Sequence, residues 1–235
     1  MKILNSIISY LKLIKAGIYL LITGALCGID SKNELKYRKK CSHILTNMIA
    51  KEVIIEGEID KNANIFLGNH THNLDIALFE SVIDEKIIWI AKAELGKIPV
   101  IKYMLTKTDM ILVDRSNKAS TIKMIREIKN RIKRNLKIAA FPEGTRNKKN
   151  PKKLLPFKKG LKGVVEKLNL KVQPFVIINL SFAFKKNPFR VKKQTIKVIF
   201  LPSFYPKDNP NWYEDMREKM QEILNKKNNK MLNDK

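Results

Sequence analysis

The apolar residues at the start of the chain repeat with a helical period. From residue 2 to residue 15, at ~100° per residue, one face collects Ile3, Leu4, Ile7, Ile8, Leu11 and Ile14. Residues 16–29 carry no charged side chain, but they are fewer than the ~20 that a membrane-spanning helix needs. The pattern predicts an amphipathic helix followed by a short apolar helix, lying in one leaflet of a membrane. Two alternatives are a pair of ordinary core helices and a signal peptide, although the small-residue cleavage pattern is poor.

Beyond residue 30 the period changes repeatedly between that of a helix and that of a strand. Residues 31–51 are predicted to form a helix that begins with a capping box of Ser31 and Glu34. Short β-rich runs then predict strands at 53–56, 65–68, 87–90, 110–113, 137–141, 172–178 and 195–201. Helical patterns cover 74–84, 98–106, 118–135, 157–169 and 211–226. The buried stripe of the helix at 118–135 is expected to be Ile122, Ile125, Ile128 and Ile132.

Alternation of strands and helices is typical of an α/β fold. We expect a single domain with a mixed, mostly parallel sheet flanked by helices, plus the N-terminal helical pair. Residues 1–50 would form the membrane-associated part and residues 51–235 the main domain. No internal repeat and no Gly/Ser-rich linker interrupts the chain.

The charge balance is strongly basic, with 47 Lys and Arg against 22 Asp and Glu and a formal net charge of +25. Such a surface attracts nucleic acid, anionic lipid headgroups or phosphorylated substrates. The alternative is that lysine is simply the favoured solubilising residue of this chain. The two cysteines, Cys27 and Cys41, show no metal-ligand spacing and no disulfide framework, which fits a reducing cytoplasm.

The segment NHTHNLD, residues 69–75, follows the predicted strand at 65–68 and precedes a helix. His70 and Asp75 can meet only if the chain turns between them, and Thr71 and Asn73 favour such a turn. An Asp bonded to one imidazole nitrogen leaves the other nitrogen free as a general base. A polar turn with a capping Asp would give the same pattern without catalysis.

His72 is a second candidate in the same segment. The position five residues downstream of it is Ala77, which cannot orient an imidazole, so His70 is the preferred base. A metal site of His70, His72 and Asp75 would lack a further nearby ligand, since the remaining histidine, His43, lies in another helix. We therefore predict no metal.

Two further strand ends carry arginine. FPEGTR, residues 141–146, places Gly144 in a tight turn and presents the guanidinium of Arg146, whose planar fork matches a phosphate. The strand at 110–113 runs into Arg115. These two arginines, with Lys158 and Lys159, could converge on one dianionic phosphate. No nucleophile elbow and no Gly-rich nucleotide loop is present.

Taken together, these segments resemble the glycerolipid acyltransferase family typified by bacterial lysophosphatidic acid acyltransferase. NHTHNLD matches the family's NHxxxxD motif, AKAELGKIP at 91–99 leads into ILVDR at 111–115 as the second motif, FPEGTR is the third, and VQPFVI at 172–177 is the fourth. PFKKG at 156–160 also fits. The resemblance covers about residues 53–201. A departure is Lys102-Tyr103, where such enzymes often have a small Gly-containing turn.

The resemblance implies direct acyl transfer to the free hydroxyl of a lysophospholipid, with His70 as base and Asp75 as its partner. It implies that the site for the acceptor's phosphate is formed by Arg115, Glu143, Gly144, Thr145 and Arg146, with Asn69, Lys92, Lys158 and Lys159 in support. Glu143 is expected to orient a basic residue rather than to touch the phosphate.

The same resemblance implies no bound cofactor. Acyl-CoA or acyl-acyl-carrier protein would be the co-substrate, and an anionic membrane surface on the cytoplasmic face of the cell membrane would be the site of action. The association would be monotopic or peripheral, through the N-terminal helices.

The alternatives concern the acceptor and the class of protein. Glycerol 3-phosphate or another lysolipid could replace lysophosphatidic acid, because the motifs define the chemistry better than the acceptor. A basic nucleic-acid-binding protein would explain the charge, but no base-stacking aromatic motif is evident. No nucleic acid is therefore expected.

Overall fold

The structure, a computed structural model, describes residues 2–97, 108–114 and 119–233, and the statements below refer to these residues. The helices are α1 Lys2–Ile29, α2 Glu34–Ile49, α3 Leu74–Val82, α4 Ala119–Lys133, α5 Lys159–Lys167 and α6 Trp212–Asn233. The strands are β1 Ala50–Glu56, β2 Ile65–Gly68, β3 Ile87–Lys92, β4 Ile111–Val113, β5 Lys137–Ala140, β6 Val172–Ile178, β7 Phe184–Lys185, β8 Arg190–Val191 and β9 Gln194–Phe200.

The main sheet has seven strands in the order β1-β9-β6-β2-β5-β3-β4. Its neighbours are parallel except β6 and β9, which pair antiparallel. β2, β5 and β6 are buried along their whole length, as expected for central strands of a sheet covered on both faces. The expected mixed, mostly parallel sheet flanked by helices is confirmed. β2 lies at its centre, so its carboxyl end, which leads into NHTHNLD, is flanked by those of β5 and β6.

Alternate side chains of each strand point to opposite faces of the sheet. Ile65 and Leu67 of β2 pack on the face that α4, α5 and α6 cover. Phe66 packs on the other face, with Ile49 of α2 and Phe79 of α3. α1 lies outside α2, where Ala16 and Tyr19 of α1 pack near Cys41 and Leu45.

The N-terminal segment differs from the predicted pair of helices. Residues 2–29 form one continuous helix, because neither proline nor a run of helix-breaking residues separates the amphipathic part from the apolar part. At ~1.5 Å per residue its 28 residues extend about 42 Å. Contrary to the expectation from residues 16–29 alone, the helix is long enough to cross a membrane. Residues 3–29 have a mean hydropathy of 1.6 and the length and composition of a span.

The apolar face of α1 points away from the protein. Ile3, Leu4, Ile7, Ile8, Leu11 and Ile14 are all exposed, whereas Ser9 is 3% exposed. A core helix would show the opposite distribution. The alternative that α1 is an ordinary core helix is therefore wrong.

The predicted capping box at Ser31 and Glu34 is not formed. Asp30 caps the turn Ser31–Asn33 by accepting the backbone N–H of Asn33 at 3.4 Å, and α2 begins only at Glu34. Glu34 is instead buried in an ion cluster. It binds Arg38 at 2.9 Å, and Arg38 also contacts the carboxylate of Glu80 on α3. Glu34 also binds Lys86 at 2.5 Å, so a partner within the helix and a distant one both use the carboxylate of the predicted capping box.

Two further expectations need correction. Ile122 is 73% exposed rather than buried, and Met124 with Ile128 forms the inner stripe of α4, flanked by partly buried Ile125 and Ile132. A β7–β8 hairpin, which the sequence pattern did not reveal, follows the short turn at Leu180–Ala183. The predicted helix at 98–106, Lys102-Tyr103 and Arg115 lie outside the described residues. The division at residue 50 stays a prediction.

Candidate active site

The turn after β2 begins with a close approach between neighbouring strands. A Cβ on Gly68 would lie 2.2 Å from Cζ of Phe175 on β6, so no side chain fits here unless the ring moves. Asn69, 1% exposed, then binds β6 through both ends of its amide. Its Nδ2 donates to the carbonyl of Ile177 at 2.9 Å, and its Oδ1 accepts from the Ile177 N–H at 2.7 Å. The chain that carries His70 is thereby fixed to the sheet.

The carboxylate of Asp75 organises the rest of this turn. Its Oδ2 lies 2.9 Å from Nδ1 of His70 and accepts the backbone N–H groups of Thr71 at 2.7 Å and His72 at 2.9 Å. The residue is fully buried, so these donors replace the water that a carboxylate would otherwise bind. Asn73 occupies the N-cap position of α3 without a side-chain capping bond. The predicted turn and the contact between His70 and Asp75 are both present.

The imidazole of His70 is held in one orientation. A carboxylate can only accept, so Nδ1 carries the proton in this contact and Nε2 keeps its lone pair. The ring lies flat on Phe141, with centroids 3.9 Å apart and planes 2° apart, and Phe141 stacks in turn on Trp89. The side chain keeps 14% of its exposure. One ring nitrogen is thus oriented and free to accept a proton.

Glu143 supports the same turn from the end of β5. Its Oε1 accepts the backbone N–H of His70 at 2.7 Å, and its Oε2 accepts that of Leu155 at 2.8 Å. Burial raises the pKa of this carboxyl to about 7, against the lowering effect of the two amide bonds. Gly144, which follows, has a φ of +68°, a left-handed conformation that favours glycine. Glu143 therefore binds backbone amides at the site, not the basic side chain that was expected.

Residues 69–73, which carry His70 and His72 between β2 and α3, form the histidine turn. The FPEGTR loop is joined to the histidine turn by backbone contacts. The N–H of Asn147 donates to the carbonyl of His70 at 2.8 Å, and that of Lys158 donates to the carbonyl of Pro142 at 2.9 Å. Asn147 is buried, and its side chain accepts the N–H of Asn150 at 3.0 Å. These bonds place Arg146, one residue before Asn147, beside the histidine turn.

A cavity of about 410 Å³ lies against this turn. Its polar wall includes Thr71, His72, Arg146, Lys148 and Lys186. Its apolar wall includes Leu13, Phe182, Phe184 and Phe189. His70 is not part of the lining; the lining residue next to it in the chain is Thr71. Among the described lining residues none is acidic, so the cavity suits an amphiphile with an anionic group.

Four other predicted site residues do not line the cavity. Thr145 is exposed, as are Lys158 and Lys159 at the start of α5. Lys92, at the end of β3, is 48% exposed and lies 3.4 Å from Glu94. The cavity lining includes Arg146 but none of these four side chains.

Three residues of the site escaped the sequence reasoning. Phe141 supports the imidazole of His70, Asn147 joins the two loops, and Phe184 of the hairpin stacks on His72. Phe141 and Asn147 flank or belong to the recognised FPEGTR segment, so their position was a usable signal. Phe184 had no such signal, because its partner is more than a hundred residues away in the chain.

Comparison with known proteins assigns the family. The acyltransferase family model matches residues 42–178. The 1-acyl-sn-glycerol-3-phosphate acyltransferase of Helicobacter pylori is 37% identical over 194 residues, which cover 81% of this chain and 80% of the relative. The enzyme of the same name from Cocos nucifera is 31% identical over 76% of this chain and 57% of its own length.

A solved structure shares the fold. The 1-acyl-sn-glycerophosphate (LPA) acyltransferase, PlsC, of Thermotoga maritima superimposes with a TM-score of 0.75 at 22% identity and covers 98% of both chains. With the family model matching more than half of the chain and the dyad of His70 and Asp75 inside the matched segment, this protein belongs to the acyltransferase family.

Proposed function

We propose that this protein transfers a fatty acyl group from a thioester donor to the free hydroxyl of lysophosphatidic acid, giving phosphatidic acid. The observation that carries the proposal is the contact of Nδ1 of His70 with buried Asp75, which leaves Nε2 as a base. The family assignment and the relatives named 1-acyl-sn-glycerol-3-phosphate acyltransferase support it. With this assignment, a nucleic-acid-binding role is no longer needed to explain the basic charge.

The reaction follows from the geometry of the dyad. Nε2 of His70 removes the proton of the acceptor hydroxyl as its oxygen attacks the thioester carbonyl. Asp75 stabilises the imidazolium that forms. The tetrahedral oxyanion then collapses, the carbon–sulfur bond breaks, and the imidazolium returns the proton to the leaving thiolate. The protein forms no covalent intermediate in this sequence, and the dyad alone moves the proton.

The acceptor would occupy the cavity beside the histidine turn. Arg146 supplies a guanidinium for its phosphate, and the apolar wall of Leu13 and Phe189 receives the beginning of its acyl chain. Glu143 acts in this proposal as a positioning residue, since it holds the backbone of His70. Glycerol 3-phosphate and other lysolipids are the competing acceptors, and either acyl-CoA or acyl-acyl-carrier protein is the donor.

The acceptor would reach the cavity from a membrane. α1 exposes apolar side chains along its length, and Leu13 of the same helix forms part of the cavity wall. A lipid could therefore pass from the bilayer along α1 to the site without crossing water. The basic surface would favour the anionic cytoplasmic face, at ~1 kcal/mol for each well-placed Lys or Arg.

The mechanism predicts the effect of removing the base. His70→Ala should lower kcat about 10²- to 10⁴-fold, because general-base assistance contributes that much. The measurement is steady-state acyl transfer by purified protein, with lysophosphatidic acid, glycerol 3-phosphate and other lysolipids as acceptors and with both donors.

The matched control is His43→Ala, the same change at an exposed histidine of α2. That variant should keep the activity of the unchanged protein. If His70→Ala turns over as fast as His43→Ala, the proposed mechanism is wrong.

A further inference from the structure

The imidazole ring of His72 is held in the cavity wall by contacts that do not involve an acid. Its ring stacks on Phe184 of the β7–β8 hairpin, with centroids 4.0 Å apart and planes 14° apart. Its Nδ1 accepts the backbone N–H of Leu74 at 3.2 Å. Asp75 binds the backbone N–H of His72, not its ring. The imidazole is therefore fixed in place, but it has no carboxylate that would make it a base.

These contacts determine which nitrogen of His72 carries the proton. Because Nδ1 accepts a hydrogen bond, the neutral ring must be protonated at Nε2. Burial lowers the pKa of His72, Asp75 opposes this, and the nearby charges of Arg146 and Lys148 lower the pKa further. Near neutral pH, His72 is thus an uncharged N–H donor. In the part of the chain that the structure describes, Nε2 has no hydrogen-bond partner.

The cavity around His72 is built for an anion. Arg146 and Lys148 come from the FPEGTR side of the wall, and Lys186 comes from the hairpin. The described lining contains no carboxylate to neutralise them. A neutral N–H donor among cations gives a phosphate oxygen a directed hydrogen bond without adding to the repulsion between the cations.

The hairpin that carries Phe184 is itself held by α1. The backbone N–H of Val191 donates to Oγ of Ser9 at 2.9 Å, and the ring of Phe189 lies 5.0 Å from that of Tyr10. The stack of His72 on Phe184 is thus fixed from both sides of the cavity. His72 occupies a constrained position opposite the helix that we propose to face the lipid.

We propose that His72 is a second functional histidine, which donates a hydrogen bond from Nε2 to the phosphate of the acceptor and so helps to select a phosphorylated lysolipid. This inference rests on the proposed function, because it needs that acceptor in this cavity. His72 takes no part in proton transfer, which belongs to His70. It adds directionality to the binding by Arg146.

The test separates the N–H donor from the stacking ring. His72→Phe keeps the aromatic stack on Phe184 and removes the donor, whereas His72→Gln keeps an N–H donor and removes the stack. The KM for lysophosphatidic acid, the KM for the acyl donor, kcat and the melting temperature are measured for both variants and for the unchanged protein.

His72→Phe should raise the KM for the acceptor about ten- to a hundredfold, the loss expected for a hydrogen bond to a charged group. Its kcat should stay within about threefold, because the dyad of His70 and Asp75 is intact. His72→Gln should have an acceptor KM between those of the unchanged protein and His72→Phe. The donor KM should not change in either variant.

Three results would overturn the inference. An unchanged acceptor KM in His72→Phe would show that the N–H donor of His72 does not contribute to binding of the acceptor. A larger acceptor KM in His72→Gln than in His72→Phe would assign the effect to stacking. A fall in kcat of the size seen in His70→Ala, without a change in KM, would assign His72 to proton transfer. Absence of acyl transfer in the unchanged protein would instead refute the proposed function.

Discussion

Single residues of this site act mainly through buried carboxylates that bind backbone amides. Asp75 orients the ring of His70 and also accepts two N–H groups of the turn, while Glu143 binds the N–H of His70 from the other side. The proposed base is thereby positioned by two acids that are 0% and 1% exposed. Removing either acid would leave backbone donors without partners, so both matter for more than charge.

The raised pKa of Glu143 predicts a dependence of stability on pH. Its pKa is about 7 in the folded protein and ~4.3 in an unfolded chain, so between these values the folded state holds a proton that the unfolded state releases. The stabilising contribution is full below pH ~4.3 and is lost as the pH rises through about 7. At ~1.4 kcal/mol per pKa unit, the rise from ~4.3 to about 7 corresponds to roughly 3–4 kcal/mol.

Melting temperatures of the unchanged protein and of Glu143→Gln, measured from pH 4.5 to pH 8, test this. The difference between the two, unchanged protein minus variant, should fall as the pH rises, because only the carboxyl titrates. Parallel curves would contradict the raised pKa.

At the scale of the element, the unit of β2, the histidine turn and α3 depends on how closely β2 approaches β6. Gly68 leaves room for the ring of Phe175, and Asn69 binds Ile177 on the same neighbouring strand. Phe175 is fully buried and packs against Phe79 at 4.2 Å, so its ring has little freedom to move. The register of the turn is therefore determined by packing at the end of the strand.

This packing predicts the effect of a single methyl group. Gly68→Ala should destabilise the protein by about 1–3 kcal/mol, the usual penalty for overpacking a core. That corresponds to a lower melting temperature by about 2–4 °C for each kcal/mol in a chain of this size.

The control is Gly163→Ala in α5, where an added Cβ meets nothing within 4 Å. That change should stabilise slightly, since alanine favours a helix by about 0.5–1 kcal/mol over glycine. Combining Gly68→Ala with Phe175→Leu should recover part of the loss. If Gly68→Ala melts like Gly163→Ala, the close approach is not a constraint.

At the scale of the whole molecule, the two faces of one sheet separate the side that we propose to face the lipid from the remaining surface. α1 lies over the face that α2 and α3 cover. The cavity joins α1 to the histidine turn through Leu13 and His72. The opposite face carries α4, whose exposed side chains include Lys123, Arg126 and Ile122. The membrane association that we propose for α1 is thus directed to one side of the molecule.

This arrangement predicts which apolar residues anchor the protein. Leu11 and Ile18 of α1 are 58% and 49% exposed, and replacing both by glutamate should move the protein from the membrane fraction to the soluble fraction on sedimentation. A charged residue at the centre of a membrane helix is unfavourable by ~2.5–3.5 kcal/mol, and two are enough to reverse weak binding.

Ile122→Glu is the matched control, because Ile122 is an even more exposed isoleucine on the opposite face of the sheet. It should sediment with membranes as the unchanged protein does. If the Leu11→Glu, Ile18→Glu double variant also stays with the membranes, α1 is not the anchor.

Much of this molecule follows from short-range pattern. Period-two and helical repeats placed the strands at 65–68 and 172–178 at their observed bounds, and the α/β fold follows from their alternation with helices. The contact of His70 with Asp75 was also predictable, because both residues belong to one turn between a strand and a helix. Such features depend on neighbours within about a dozen residues, which the sequence displays directly.

Only the tertiary structure decided which side chains the local elements share with distant ones. Glu34 binds the distant Lys86 instead of forming a capping box. Ile122 stays exposed because Met124 fills the inner stripe of α4, and His72 stacks on Phe184 across the cavity. Burial and partnership are properties of what packs against a residue, and no local period encodes that. The sequence by itself determined the fold class and singled out His70 as the proposed base, whereas the cavity, its two walls and the proposed role of His72 depended on the folded chain.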